Sequence, residues 1–126
     1  MTDEQPIETV RRFCAAWGTQ DLDTIIAFFT DDAVYHNIPM EPVVGPAQIK
    51  ATIEGFSGGV ESIEFHLDAI AADGGTVLTE RRDIFAFANG RIDLPVMGTF
   101  EVRDGKIAAW RDYFDLGMFL RQMPEG

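Results

Sequence analysis

Cysteine and positive charge are scarce in this sequence of 126 residues. The single cysteine, Cys14, excludes an internal disulfide, and its place on the apolar side of a predicted helix indicates a small buried side chain rather than a nucleophile. Ten Lys and Arg stand against 21 Asp and Glu, which gives a net charge of −11. Nucleic acids and anionic membrane surfaces require a basic binding surface, so the charge argues against both and favours a neutral or apolar ligand. The simplest role of the charge is solubility.

The sequence also contains no long apolar run and no segment with the pattern of a signal peptide. No stretch approaches the roughly 18 consecutive apolar residues of a membrane-spanning helix. The first residues lack the basic start and apolar run of a signal peptide. We therefore expect a cytoplasmic protein whose partners include neither a membrane nor a nucleic acid.

Hydrophobic residues are plentiful, since they make up 46% of the sequence and include ten Phe. A chain of this length and composition can bury a sizeable core, so we expect residues 1–126 to form one domain. In the first half, apolar residues recur with helical spacing and predict three helices. The first covers 6–18, the second is capped by Asp21 and carries Phe29 on its apolar face, and the third opens at Gly45.

Strand patterns flank the third helix and dominate the second half. The segment 30–32 is predicted to be a break after the second helix. Asn89-Gly90 and Asp104-Gly105 are typical of tight hairpins, and Gly98 predicts a bend or bulge within a strand. The predicted strands cover 33–38, 60–71, 76–87, 91–103 and 106–115, and a short closing helix covers 116–123.

The element order α-α-β-α-β-β-β-β is typical of an α+β domain. We expect a strongly curved, mixed but mostly antiparallel sheet that packs with the three helices into a cone and encloses a pocket. Ile92 and Val102 are expected on the outer face of the sheet. Apolar residues that the helices leave uncovered there predict a homodimer.

Three predicted strands each carry two hydrogen-bonding side chains spaced two residues apart. Residues i and i+2 of a strand point to the same face, so the members of each pair share a face. We expect the three pairs to converge in one pocket, where buried charges are costly unless they are paired. The pairs are Tyr35 and Asn37, Arg81 and Asp83, and Trp110 and Asp112.

This cluster of residues allows two interpretations. In a reactive site, desolvation and repulsion would keep either Asp83 or Asp112 protonated, while Arg81 keeps the other ionised. Identical side chains would then supply one acid and one base, and Tyr35 and Asn37 would hold a water against the base. In a purely structural role, the same three charges would form a buried salt-bridge network. Tyr35 would then be a core residue and Asn37 a strand-end cap.

At these positions the chain resembles the limonene epoxide hydrolase family. That family lies within the cone-shaped fold of nuclear transport factor 2, ketosteroid isomerase and SnoaL-like polyketide cyclases. The matching pieces span nearly the whole chain in the same element order, and the last of them is the most specific. They are Tyr35-x-Asn37-x-Pro39, Thr79-Glu80-Arg81-x-Asp83, and Gly105-Lys106-Ile107 leading to Trp110-Arg111-Asp112-Tyr113-Phe114-Asp115.

The resemblance implies hydrolysis of a small, neutral, apolar epoxide to a vicinal diol in one step, with no covalent intermediate. Asp112 would take a proton from the attacking water, which Tyr35 and Asn37 help to hold. Asp83 would donate a proton to the epoxide oxygen, and Arg81 would bridge the two aspartates. No metal or organic cofactor is required.

The wall of the predicted cavity is apolar. Trp110 shares a face with the reactive carboxylate but is expected to pack rather than to take part in the chemistry. Arg82 departs from the family pattern, and by alternation it points away from the pocket. The predicted wall residues are Phe85, Leu94, Val96 and Phe114, with Met40, Met97 and Phe119 as further candidates.

The remaining polar residues do not predict a metal site. His36 and His66 alternate away from the cluster and lack the spacing of metal ligands. Asp115 is predicted to end a strand or cap the closing helix.

Two other functions stay open. An isomerase or cyclase of the same fold would use Asp83 or Asp112 as the base on a ketone, although a bridging Arg81 suits water activation better than enolate chemistry. A non-catalytic binding module would hold a lipid-like ligand in the same pocket.

Overall fold

A six-stranded sheet and four helices make up the computed structural model, which describes residues 4–124. This arrangement confirms the predicted α+β class. A 3-10 turn, Trp17–Thr19, follows the first helix. The helices are α1 (Glu4–Ala16), α2 (Leu22–Ile26), α3 (Pro46–Ser57) and α4 (Leu116–Gln122), and the strands are β1 (Phe29–Asn37), β2 (Val43–Val44), β3 (Ser62–Asp73), β4 (Thr76–Phe87), β5 (Gly90–Arg103) and β6 (Lys106–Tyr113).

The strand order in the sheet is β2-β1-β6-β5-β4-β3. The consecutive strands β3 to β6 form an antiparallel meander, whereas β1 pairs with β6 in parallel. The turn between β5 and β6 places both Asp104 and Gly105 at positive φ, which is the conformation that a two-residue hairpin of primed type requires. The hairpin before it is also present, but Phe87 pairs with Gly90, so its loop residues are Ala88 and Asn89.

The first helix is displaced from its predicted bounds, and the second is shorter than its sequence pattern predicts. Helix α1 begins and ends two residues before the predicted bounds, at Glu4 and Ala16, and residues 17–19 form the 3-10 turn. Phe29, predicted on the second helix, begins β1, and the predicted break at 30–32 lies inside that strand. The reason is a distant partner: Phe29 pairs with Ile107 of β6, whose backbone N–H donates to the carbonyl of Phe28. Local periodicity carries no signal of that contact.

The predicted bulge at Gly98 is wrong. Pairing between β4 and β5 runs without a break from Thr76 to Phe87, with Gly98 opposite Thr79. The irregularity lies instead in the pairing of β5 with β6, between Glu101 and Val102. Glycine is needed at 98 for a different reason, which is the close approach of two side chains in the site described below.

The core lies between the helices and one face of the sheet, called the inner face here. Phe13 of α1 makes edge-on ring contacts with Trp17, Phe29, Phe100 and Trp110 at centroid distances of 5.0–6.1 Å. Each such pair contributes about 0.5–1.5 kcal/mol beyond its buried area. This aromatic cluster fixes α1 across the sheet and leaves space for a pocket beside it.

The opposite, outer face carries neither Ile92 nor Val102, contrary to the sequence-based expectation, and Val102 packs against the core beside its partner Ile107. Ile92 is 1% exposed and pairs with Phe85 of the inner face. The large apolar side chains exposed on the outer face of β4, β5 and β6 are instead Leu78, Met97 and Tyr113. Ile92 is two residues from Leu94 and four from Val96, which are also buried, so alternation along β5 itself places it on the inner face. Within residues 4–124, none of the helices has the length and hydropathy needed to cross a membrane.

Candidate active site

The sheet register brings the three polar pairs together. In one row across four neighbouring strands, Thr79 lies opposite Gly98, Gly98 opposite Asp112, and Asp112 opposite Asn37. In the next row along β6 and β1, Trp110 lies opposite Tyr35. Directly paired residues share a face of the sheet, so these side chains all project inward.

Arg81 is the centre of this cluster, and all five of its N–H groups have acceptors. Its Nε and Nη2 donate to Oδ1 and Oδ2 of Asp83 at 2.9 and 2.8 Å. Nη1 and Nη2 donate to Oδ1 and Oδ2 of Asp112 at 3.2 and 2.8 Å. The remaining N–H, on Nη1, donates to the hydroxyl of Thr79 at 3.2 Å. One guanidinium therefore clamps two carboxylates, each in a two-bond fork that fixes its orientation.

Gly98 makes this bridge possible because Arg81 crosses over it to reach Asp112. A Cβ at position 98 would lie 2.5 Å from Oδ1 of Asp112, 3.1 Å from Oγ1 of Thr79, and too close to Nη1 of Arg81. The Thr79 hydroxyl, in turn, donates to the Gly98 carbonyl at 3.1 Å. Sequence reasoning gave neither residue a role in the site, although Thr79 is two positions before Arg81 and hence on its face.

Burial decides the charge state of the site. Arg81, Asp83 and Asp112 are 1%, 5% and 4% exposed. Burial raises the pKa of Asp83 to about 6, against the opposing effect of Arg81. Burial also opposes the charge on Arg81, but Asp112 and Asp83 outweigh it and hold the pKa of Arg81 well above its usual range. Asp83 is thus the carboxyl that protonates readily beside a permanent cation.

Aromatic and amide groups complete the polar cluster. Tyr35 stacks on Trp110 with a centroid distance of 4.2 Å, and its hydroxyl donates to Oδ1 of Asn37 at 3.2 Å. Burial and then the charge of Asp112 raise the pKa of Tyr35, so the phenol stays protonated. Trp110 does more than pack, because its indole N–H donates to Oδ1 of Asp112 at 2.7 Å.

Of the polar cluster, Tyr35, Asn37 and the two aspartates line a cavity of about 150 Å³. All four predicted wall residues line it, together with Met40 and Phe119. Met97 does not, because it lies on the outer face with 50% of its surface exposed. Phe56 and Phe65 are wall residues that sequence reasoning missed, and Phe65 pairs directly with Asp83. The full lining is Tyr35, Asn37, Met40, Phe56, Phe65, Asp83, Phe85, Leu94, Val96, Asp112, Phe114 and Phe119.

The other residues considered from sequence lie away from this cavity. His36 contacts the carbonyl of Met40 on the outer side, and His66 lies beside Glu64 and an aspartate there. Across residues 4–124, no three His, Cys, Asp or Glu side chains are grouped as metal ligands would be. Burial raises the pKa of the Cys14 thiol to about 12, so the thiol stays protonated.

Asp115 is the N-cap residue of α4, which confirms one of the two roles predicted for it. Its carboxylate accepts from the backbone N–H of Met118 at 3.1 Å. The strand β6 ends two residues earlier, at Tyr113, so Phe114 reaches the cavity from the connection between strand and helix.

The arrangement can perform acid–base chemistry on an apolar molecule. Two carboxyl groups face the same cavity, both accept hydrogen bonds from Arg81, and the raised pKa of Asp83 makes it the readier of the two to hold a proton. Phe65 covers the back of the guanidinium, with Arg81 Cζ 4.9 Å from its ring centroid, which keeps water from the cation. A purely structural salt bridge would not need an open cavity against its carboxylates.

Known proteins share both the sequence and the shape of this chain. The family model for the limonene-1,2-epoxide hydrolase catalytic domain matches residues 4–125. Epoxide hydrolase EphG of Mycobacterium tuberculosis is 38% identical over 107 residues, which cover 85% of this chain and 71% of that protein.

Solved structures extend the same likeness. The structure of an LEH-like epoxide hydrolase from M. tuberculosis superposes with a TM-score of 0.82 at 35% identity, over 95% of this chain and 92% of that one. A protein from Shewanella putrefaciens described as a SnoaL-like polyketide cyclase gives a TM-score of 0.83 at 15% identity, over 94% and 95% of the two chains. The latter likeness is one of fold alone.

Proposed function

The chain belongs to the limonene-1,2-epoxide hydrolase family and is an epoxide hydrolase, and from this premise we propose that it converts a small apolar epoxide to a vicinal diol by direct attack of water. The observation that carries the proposal is the Arg81 bridge between two buried carboxylates on the wall of an apolar cavity. The reaction needs no metal or organic cofactor. Water and the epoxide are the only reactants.

Asp112 is the proposed base. It accepts a proton from a water that Tyr35 and Asn37 help to orient, while the water oxygen forms a bond to one epoxide carbon. Asn37 lies opposite Asp112 in the register, and its side-chain oxygen accepts from the Tyr35 hydroxyl. The three groups therefore surround one small volume in which a water can donate and accept at once. Positioning of this kind supplies much of the rate enhancement.

Asp83 is the proposed acid. As the carbon–oxygen bond of the epoxide breaks, the leaving oxygen takes the proton of the Asp83 carboxyl and becomes the second hydroxyl of the diol. The raised pKa of Asp83, about 6, makes the protonated form that this step needs far more populated near neutral pH than in an ordinary aspartate. An apolar substrate in the cavity displaces water and acts in the same direction. Exchange with solvent afterwards returns a proton to Asp83 and removes one from Asp112.

The hydrogen bonds of Asp112 disfavour a covalent ester intermediate. Both of its oxygens accept from Arg81, and one also accepts from Trp110. A carboxylate held by three donors is a weakened nucleophile but still an adequate base for a neighbouring water. The test is a single turnover in ¹⁸O-labelled water with enzyme in excess. Direct attack places the label in the first diol formed, whereas an unlabelled first diol would refute this route.

The size and polarity of the cavity define the proposed substrate class. A volume of about 150 Å³ with eight apolar wall residues suits a compact hydrocarbon epoxide. Incubation with limonene oxide and cyclohexene oxide should yield diols, and epoxysuccinate, which carries two carboxylates, should not react. Binding of the neutral epoxides without any diol would instead support a non-catalytic binding module.

A homodimer is part of the proposal. Leu78, Met97 and Tyr113 are 48%, 50% and 47% exposed and lie on adjacent strands of the outer face. A second copy of the chain is the proposed cover for this apolar surface. Sedimentation should show a dimer, and Met97→Lys should shift it towards monomer by placing a charge in the contact. A wild-type protein that sediments as a monomer at all concentrations would exclude it.

A further inference from the structure

We propose that Trp110 is a positioning residue of this reaction, which acts by holding Asp112 so that Oδ2 is the oxygen that receives the proton from water. The inference rests on the proposed role of Asp112 as base. It concerns a side chain whose sequence context indicated packing alone. The indole N–H is its functional group.

The hydrogen bonds of the two Asp112 oxygens are unequal. Oδ1 accepts from the indole N–H of Trp110 at 2.7 Å and from Nη1 of Arg81 at 3.2 Å. Oδ2 accepts from Nη2 of Arg81 at 2.8 Å. Each carboxylate oxygen has two lone-pair sites, so the donors at Oδ1 fill it. Among the hydrogen bonds of residues 4–124, Oδ2 keeps one acceptor site for water.

The indole is held rigidly, so its N–H direction is fixed. Trp110 is fully buried and lies parallel to Tyr35 and Phe100, at centroid distances of 4.2 and 5.6 Å. Phe13 packs edge-on against it at 5.0 Å. Rotation of the ring would require all three neighbours to move. The stack therefore fixes the orientation of the indole N–H group that binds the reacting carboxylate.

The same stack links the base to the group that helps to hold the water. Tyr35 contacts the face of Trp110, and its hydroxyl donates to Asn37, which pairs with Asp112. One aromatic layer thus sets the positions of both the proton acceptor and the water-binding phenol. A side chain that only filled space would need no donor atom at this point.

The second tryptophan of the chain provides a matched control. Trp17 is also fully buried and stacks on Phe65 at 4.4 Å. Its indole N–H, however, has no hydrogen-bond partner within the described part of the chain. Replacing either indole by phenylalanine removes a similar volume and one N–H group. Only the change at Trp110 removes a donor from the carboxylate.

The first experiment compares the steady-state kinetics of Trp110→Phe and Trp17→Phe on cyclohexene oxide. Loss of a hydrogen bond that orients a metal ligand commonly costs about 10- to 100-fold in activity, and we take the same factor for a bond that orients a catalytic carboxylate. We expect kcat of Trp110→Phe to fall by that factor with KM unchanged within about twofold, because the cavity wall stays intact. Trp17→Phe should retain kcat. Equal losses in the two variants, or a wild-type kcat in Trp110→Phe, would overturn the proposal.

The second experiment observes the hydrogen bond itself and needs no turnover. A ¹H–¹⁵N spectrum should contain two indole signals, since the chain has two tryptophans. The Trp110 signal should lie downfield because its acceptor is charged, and Asp112→Asn should move it upfield while the Trp17 signal stays in place. Failure of Asp112→Asn to move the Trp110 signal would contradict the bond.

The outcomes separate this inference from the proposed function. If Asp112→Asn is inactive but Trp110→Phe turns over normally, Asp112 remains the base and the role of Trp110 fails. If Asp112→Asn retains activity, the proposed function itself fails. Circular dichroism spectra of all variants establish that each one is folded.

Discussion

Two neighbouring arginines on β4 bind aspartates in the same two-bond geometry, but the pKa values of the two aspartates shift in opposite directions. Arg81 on the inner face and Arg82 on the outer face each bind an aspartate through Nε to Oδ1 and Nη2 to Oδ2. The side chains of Arg81 and Asp83 are 0% and 8% exposed, whereas those of Arg82 and Asp93 are 47% and 31% exposed. The two forks differ in environment rather than in geometry.

The two environments shift the pKa values of Asp83 and Asp93 in opposite directions. The hydrogen bond from Arg82 lowers the pKa of Asp93, which remains an ordinary surface carboxylate. Burial raises the pKa of Asp83 to about 6 despite the equivalent bond from Arg81. An arginine partner alone therefore does not determine the charge state of an aspartate. Loss of water decides whether the carboxyl can act as an acid near neutral pH.

The largest expected effect comes from removing the inner carboxyl groups. Asp83→Asn and Asp112→Asn should each lower kcat by about 10³-fold, because one loses the acid and the other the base. Asp93→Asn, the matched change on the outer face, should keep wild-type turnover. Diol formation is measured by gas chromatography on proteins of verified fold. Either inner variant with more than about a tenth of wild-type activity would contradict the assignment.

The arginine fork itself can be tested by charge-conserving substitution. Arg81→Lys should lower kcat by at least about 10²-fold, because a lysine ammonium cannot form both two-bond forks. Arg82→Lys, with its side chain in solvent, should have no measurable effect on kcat. The comparison requires only steady-state kinetics and a thermal melt of each variant. Similar kinetics for the two would mean that the bridge is not needed for turnover.

Gly98→Ala should give an intermediate loss. The added methyl would displace Arg81 and Asp112, and a shift of this kind commonly costs up to about 100-fold in rate. Gly55→Ala in α3 is the control, since a Cβ there meets nothing within 4 Å and alanine favours a helix. Kinetics and melting curves of both proteins provide the measurement. Unchanged activity of the position-98 variant would show that the carboxylates tolerate displacement.

The pH dependence should follow the inner aspartate. Asp83 must be protonated to act, so kcat/KM should fall as pH rises through about 6. The same raised pKa means that Asp83 contributes most to stability below its unfolded value near 3.8, and that this contribution is lost as pH rises through about 6. Asp93→Asn should leave the profile in place. A flat kcat/KM from about pH 5 to about pH 8 would contradict Asp83 as the acid.

The smallest effect is expected on the outer face. Arg82→Ala should change the free energy of unfolding by less than about 1 kcal/mol, because water and salt screen an exposed ion pair. The change should shrink further at high salt. Urea unfolding at two ionic strengths provides the measurement. A loss of about 3 kcal/mol or more would mean that this pair is buried in an interface.

Much of the site could be predicted from the sequence because it depends on alternation. The spacing of Arg81 and Asp83 placed both on one face of β4, and the predicted strand 76–87 matches its observed bounds. The family motifs identified the five polar residues that the register brings together. Phe65, Gly98 and the indole bond of Trp110 could not be read in the same way. Each depends on a neighbour in another strand, which local spacing does not specify.

The sequence by itself determined most of the long strands, which residues within each of them share a face, and which side chains can exchange protons. Only the tertiary structure decided that β1 lies parallel to β6, that the absence of a Cβ at Gly98 leaves room for the Arg81 side chain, and that water is excluded around Asp83. The physical reason is the distance along the chain over which each of these effects acts. Backbone preference and alternation act over a few residues, whereas register, close packing and desolvation depend on parts of the chain that meet only after folding.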